Sequence, residues 1–558
     1  MFGRPQASST ATKSFAPGPT GRLKCRPVAR NPIHRPMREA LQRPPAPVRR
    51  NPTASASPTA LSTRADSRFG RSDWPLVFAA SAAAMGCVGY FVRDLDFGPA
   101  DSAVLVAVHG LGTALVALIG GAQRWRMLRV YWLYVIVAGL AFVAGTAYAS
   151  PFGSVSPVFM TDRLWPRDDY NLWMSAIRPM IGARTVGLFD GQTNAPLHWY
   201  ANVRVQELFV LLTGRPQLMV GNALNIVVGA ITAALCVGAI NVAVRPSARP
   251  RFPDGLRAAF VLACPWLVAS SVIAIREVWV YAIFAAALYG GLLAARLSAF
   301  PRLVVLGGLA AVIGLACYLL REEMTPFAVA LVLVAGITAP SRPLPGVAEA
   351  VLVAGVVVLT ALSVVPALAL REDTLSEMVE MRSQSYTELS EKPELGARGT
   401  VNSLLGDSVS ARAVFQTLWL PINPLPRVMF QAGSMYQLGK VLTPIWSIAA
   451  IATALSLPRA PSRAPPEGSV IRRYRWLILW MLTMTVLVGV TSAETRHFYG
   501  ILPVAALVLA DIFQTRATGP AELGRAWRNG LRIGLWVLVL SALATLLVFD
   551  VDAMLPGW

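Results

Sequence analysis

Two groups of residues in this chain could do chemistry. One is a pair of adjacent carboxylates, Asp168 and Asp169, set in Trp165-Pro166-Arg167-Asp168-Asp169-Tyr170-Asn171-Leu172-Trp173. Such a pair could serve as a general base or hold a divalent cation. Nothing in the sequence requires a cofactor. The neighbouring Trp165, Tyr170 and Trp173 could stack on sugar faces. The same stretch also reads as an acidic helix start within an interfacial Trp/Tyr belt.

The other group is a set of arginines at the ends of apolar runs: Arg276-Glu277, Arg321-Glu322-Glu323, Arg371-Glu372-Asp373 and Arg496-His497. A guanidinium fork matches phosphate oxygens and keeps its charge when partly buried. Together they could cradle a lipid-linked pyrophosphate. Alternatively they are snorkelling anchors or local ion pairs with the acids beside them. Arg371 opens a long polar loop and fits that second reading. Arg276 lies in a turn with apolar residues on both sides, where a charge is costly unless it faces a polar cavity. Histidines add candidate acids or bases. His198-Trp199-Tyr200 stands shortly before Glu207, and His497 lies within Glu494-Thr495-Arg496-His497-Phe498-Tyr499. His109 falls inside an apolar run and reads as a packed or helix-bridging residue. There is no Walker A loop, dinucleotide glycine pattern, HExxH or CxxC pair.

These residues hang on a very apolar chain. Of 558 residues, 55% are hydrophobic and 14% charged, too few charges to cover so much apolar surface in water. The apolar residues fall in runs of about 18–24, enough to cross a hydrocarbon core as helix. The fold class expected is all-α, a polytopic integral membrane helical bundle. Thirteen spans are expected, at roughly 74–92, 103–122, 130–149, 219–244, 258–275, 278–295, 303–320, 326–338, 347–370, 441–457, 476–493, 500–513 and 531–549. Residues 1–73, rich in Pro, Ser, Ala and Arg, read as a disordered basic tail without a signal peptide. Residues 74–558 form the transmembrane domain. Cys87, Cys236, Cys264 and Cys317 lie in apolar runs and read as packing residues.

Charge sets the expected orientation. With the tail in the cytoplasm and the spans alternating, cytoplasmic segments hold 33 Lys/Arg and 6 Asp/Glu, and outer segments 17 and 22. That is the positive-inside asymmetry. The net charge of +20 is then topological, fit to meet anionic lipid headgroups, and a nucleic-acid partner is not expected. The N-terminus is expected inside and the C-terminus outside. Two large outer loops are expected at about 150–218 and 371–440, and every candidate residue above belongs to the outer side.

The stretches RDDYNLWMSAIRPM, VQELFVLLTGRPQLMVGNALNIVVG, SSVIAIREVWVYAIFAAALYGG, YLLREEMTPFAVALVLVAG and ETRHFYGILPVAALVLAD resemble bacterial polysaccharide polymerases of the Wzy (O-antigen or exopolysaccharide) type. More loosely they resemble GT-C membrane glycosyltransferases. The acidic pair follows the third span, where the GT-C pattern has it after the first. The resemblance, over roughly 150–515, implies a glycan-assembly enzyme of the bacterial inner membrane. It would transfer or polymerise undecaprenyl-type lipid-linked sugars at the periplasmic face, alongside other glycan-assembly proteins. Asp168 or Asp169 would deprotonate the acceptor hydroxyl. Arg276, Arg321 and Arg496 would hold the pyrophosphate, with His497, Tyr170 and His198 lining the substrate. The rivals are a transporter or flippase of such precursors, which would put ionisable residues in mid-membrane, and a non-catalytic scaffold, whose outer arginines would not converge.

Overall fold

The computed structural model describes residues 74–88, 98–149, 175–177, 188, 195–217, 219–244, 261–338, 346–347, 350, 354–355, 435–458, 470–491 and 499–548. The basic tail, Asp168, Asp169, Tyr170, Arg496 and His497 lie outside these residues, as do most of the span expected at 347–370 and most of the two large loops. Every element among the described residues is helical.

The α-helices are α1 (Trp74–Cys87), α2 (Pro99–Ile119), α3 (Arg124–Ala149), α4 (Pro196–Thr213), α5 (Val220–Ala243), α6 (Pro265–Ser271) and α7 (Glu277–Ala294). They continue with α8 (Ala299–Tyr318), α9 (Thr325–Ile337), α10 (Met435–Ser456), α11 (Val470–Arg473), α12 (Arg475–Thr491), α13 (Leu502–Arg516) and α14 (Pro520–Val548). Among the described residues, five helices are long and apolar enough to cross a membrane: α2, α3, α5, α7 and α8. Thirteen spans were expected; part of the difference falls on segments that lie outside the described residues, and part has local causes. The segment expected at 258–275 contributes a seven-residue helix, α6, and then a turn. Helix α9 has 13 residues, which reach about 20 Å, short of a hydrocarbon core. Helix α13 has 15, and α10 carries Pro444 inside it.

Helix α5 is the hub. Nearly all of its residues are buried, the polar ones included, so it is covered all round. It packs against α2, α3, α4, α6, α7 and α13. Small residues permit the close approaches. A Cβ on Gly229 would run into Ser271 Oγ, and one on Gly238 would stand 2.9 Å from the Tyr289 ring. Gly291 lets α7 meet the backbone of α9 at Val332. At the other end of the chain, Gly530 and Gly534 seat α14 on the carbonyls of Ala449 and Ile445 in α10. Large apolar side chains face outward on the peripheral helices: Leu111, Leu115 and Leu118 on α2, and Phe300, Val304, Val312 and Leu315 on α8. Hydrocarbon rather than water suits those faces.

His109 bridges helices, as the sequence suggests. Its Nε2 lies 3.0 Å from Ser81 Oγ on α1 and its Nδ1 3.2 Å from the Tyr131 hydroxyl on α3. Its ring stacks with Phe78 and Tyr131. Cys236, Cys264 and Cys317 are buried free thiols, while Cys87 is exposed.

Candidate functional site

Three of the residues singled out by sequence, His198, Arg276 and Arg321, meet in one polar node. Helix α4 begins at Pro196, whose fixed φ suits a first helical position. The backbone N–H of the next residue, Leu197, donates to the carbonyl of Leu319 at 3.0 Å. This ties the start of α4 to the α8–α9 turn, where Arg321 lies. The following residue, His198, is 2% exposed.

The opposite wall of the node is a broken helix. After α6 the chain turns through residues 272–276 and resumes as α7 at Glu277. A turn between two helices leaves carbonyls without helical partners, and two asparagines on the first turns of α5 satisfy them. Asn222 Nδ2 donates to the Val272 carbonyl at 2.7 Å. Asn225 Nδ2 donates to the carbonyls of Ile273 at 2.5 Å and Ile275 at 2.8 Å. Asn225 Oδ1 accepts from Trp279 Nε1 at 2.7 Å. Gly221 keeps α5 against the turn, since a Cβ there would come within 2.7 Å of Ala274 Cβ.

His198 packs into this corner. Its ring centroid is 5.4 Å from that of Trp279, and Asn225 lies within hydrogen-bonding reach of the imidazole. Burial pushes the imidazole down to about 3, and the positive charge of Arg276 adds to the effect. The ring is therefore neutral at any physiological pH. Its Nε2 is buried without a hydrogen-bond partner among the described residues. Arg276 and Trp279 are half-buried.

Arg321 is engaged by carboxylates. Its Nε donates to Glu323 Oε1 at 2.6 Å, and its Nη1 stands 3.9 Å from Glu277 Oε1. Glu277 is 3% exposed. Burial opposes ionisation of Glu323, but the charge of Arg321 and its hydrogen bond outweigh burial and hold Glu323 below the ordinary carboxylate range. Arg321 thus takes the ion-pair role that its acidic neighbours foreshadow.

Several polar residues escaped sequence reasoning. Asn222 and Asn225 are one turn apart at the start of an apolar run, and that spacing was the available signal. Asp101 was another omission: it is 1% exposed at the start of α2. It accepts from the Gly98 amide at 2.8 Å and from Gln217 Nε2 at 2.9 Å, with Arg215 Nη2 at 3.4 Å. Gln217 is fixed in turn by its amide donating to Gln206 Oε1 at 2.9 Å. The Arg204–Glu207 pair on α4 is exposed. Ala176, seven residues after Asp169, packs against Trp199 and Val203 of α4. Among the described residues, no group of three or more His, Cys, Asp or Glu is placed to hold a metal ion. No family model matches the chain, and no curated protein or solved structure matches it either.

Proposed function

We propose that this protein is a glycan-assembly enzyme of the bacterial inner membrane, acting at the periplasmic face on lipid-linked sugars of the undecaprenyl type. The observation that carries the reading is the convergence of His198, Arg276 and Arg321 from three distant stretches of chain. A non-catalytic scaffold has no use for such a node. In the proposed reaction the acceptor hydroxyl attacks the anomeric carbon, and the bond from that carbon to the pyrophosphate oxygen breaks. The leaving pyrophosphate gains negative charge, which a fixed cation stabilises. Arg276, at the start of α7, supplies that cation in this reading, with Arg496 a second candidate. Arg321 keeps Glu277 and Glu323 in place beside it. Asp168 or Asp169 takes the proton of the acceptor hydroxyl. The lipid tail lies among the bilayer lipids against the apolar helix faces, and other glycan-assembly proteins supply the substrate.

The test compares lipid-linked oligosaccharides and surface polysaccharide in a deletion strain and in strains complemented with the wild type, Arg276→Gln or the Asp168→Asn/Asp169→Asn double variant. Accumulated single repeat units with loss of long chains indicate a polymerase. Repeat units lacking one sugar indicate a single-sugar transferase. An unchanged profile on deletion overturns the proposal and moves a transporter role to the front.

A further inference from the structure

Asn225 lies within hydrogen-bonding reach of the His198 imidazole. Both hydrogen bonds described for its Nδ2 go to carbonyls of the α6–α7 turn. Its Oδ1, which already accepts from Trp279, has a second lone pair for the imidazole N–H. With Nε2 unpartnered, an imidazole N–H given to that oxygen comes from Nδ1. Nε2 is left as a bare lone pair, buried and without a partner among the described residues. A buried acceptor left empty costs free energy comparable to a lost hydrogen bond. Its persistence next to a half-buried cation suggests that a ligand supplies the missing donor.

We propose that Nε2 of His198 accepts a hydrogen bond from a hydroxyl of the substrate whose anionic end lies at Arg276, making His198 the residue that reads a sugar hydroxyl. This rests on the reading of the protein as an enzyme of lipid-linked sugars. Two features beyond the empty acceptor support it. The start of α7, an 18-residue helix, points its amide dipoles toward the node and favours an anion there. The half-buried Trp279, held by Asn225, offers an aromatic face beside the imidazole. An uncharged imidazole suits the role, because it accepts from a hydroxyl as an imidazolium could not. The other charged groups around the node are Glu277 on α7, Arg321, Glu322 and Glu323 in the α8–α9 turn, and Arg204 and Glu207 on α4. Arg321 is engaged by Glu277 and Glu323, and Arg204 by Glu207.

The experiment uses three substitutions in the full chain, expressed in the deletion strain: His198→Gln, His198→Asn and His198→Phe. A glutamine amide oxygen reaches the position of Nε2, whereas an asparagine reaches only that of Nδ1. Membrane level and detergent-solubilised elution are measured alongside polymer yield on the strain's own lipid-linked units. The Gln variant is expected to retain polymer yield, and the Asn and Phe variants to lose about tenfold, the worth of one hydrogen bond. A purely structural role through Asn225 predicts the reverse order, with Asn active and Gln impaired. That order overturns the proposal, as does equal retention or equal loss in Gln and Asn. If the Phe variant is not made, the Gln–Asn comparison decides alone. A deletion that leaves the glycan profile unchanged sinks the proposed function itself. A deletion that alters it, with Gln failing, sinks only this inference.

Discussion

The amide of Leu197 donates to the carbonyl of Leu319 across 3.0 Å, joining two segments more than a hundred residues apart. The bond sets the start of α4 against the end of α8 and so brings His198 to the turn that holds Arg321. First-turn amides of a helix have no intrahelical acceptor and normally exchange with water quickly. The Leu197 amide should exchange much more slowly than that. Hydrogen-exchange mass spectrometry on the detergent-solubilised protein checks this through peptides covering 195–200. Fast exchange there would mean that α4 is not tied to the α8–α9 turn.

The Arg321 cluster makes a stability prediction. Removing the cation takes the Arg321 charge away from the buried Glu277 and from Glu323, and removing one partner of a buried ion pair is costly. Arg321→Met is expected to cost about 3 kcal/mol of unfolding free energy. The Arg321→Met/Glu277→Gln double variant should cost less than the single one. A thermal-unfolding double-mutant cycle measures the coupling, and strict additivity would show that the 3.9 Å pair does not interact.

Much of this arrangement was legible in the sequence, for identifiable reasons. The long apolar runs of α2, α3, α5, α7 and α8 could be placed to within a few residues, because helix-spanning hydropathy is a dense signal. Arg276 stood out because a charge between two apolar runs must have a reason. The break at 272–276 was less visible. It depends on Asn222 and Asn225, some fifty residues earlier, taking up the turn carbonyls, and no local pattern near 272 encodes that. Helix α4 lies within the outer loop that the sequence leads one to expect at about 150–218. Its first turns, including His198, are helical because Pro196 starts them and the Leu319 carbonyl receives the Leu197 amide. The ion pairs of Arg321 were visible as a bare alternative, and proximity to Glu277 decides it.

Acid should destabilise the protein in two windows. Burial lowers His198 from 6.5 to about 3, so below 6.5 the unfolded chain binds a proton that the folded chain refuses. Stability therefore falls as pH drops from about 6.5 toward 3. Glu323 is held below its ordinary 4.5. Its contribution is present above that value and is lost only as pH falls through its lowered folded value. Melting temperatures at pH 7.5 and 5.5 separate the two, because Glu323 does not act in that interval. His198→Gln should flatten the drop between these pH values and Glu323→Gln should not. Identical drops in wild type and His198→Gln would mean that the imidazole is not held neutral.

The α10–α14 contact should be intolerant of added volume. A Cβ at Gly530 meets the Ala449 carbonyl, and one at Gly534 comes within 2.7 Å of the Ile445 carbonyl. Both are backbone atoms that cannot rotate aside. Gly530→Val is expected to cost about 1–3 kcal/mol by overpacking. Gly519→Ala, with open space around its Cβ, should be near neutral. Limited proteolysis of the two variants in membranes gives the comparison, and equal resistance would argue against close packing of these helices.

Asn225 provides the most demanding test of the node. Its amide serves the carbonyls of Ile273 and Ile275 and the indole of Trp279 at once. Asn225→Leu keeps the volume and strands the Ile275 carbonyl and the Trp279 indole N–H, each worth about 1–3 kcal/mol when buried and unpaired, while the Ile273 carbonyl keeps the Ile275 amide. A loss of at least about 2 kcal/mol is expected. Asn225→Asp keeps an acceptor for Trp279 but loses both donors, so it should also destabilise. It differs in one respect: its carboxylate would sit against His198 and favour the protonated ring. The acid sensitivity assigned to His198 should therefore weaken in Asn225→Asp and persist in Asn225→Leu. Melting curves of both variants across pH 5.5–7.5 distinguish these outcomes. If both keep the wild-type pH dependence, Asn225 does not govern the protonation of His198, and the assignment of Nε2 as the open acceptor fails with it.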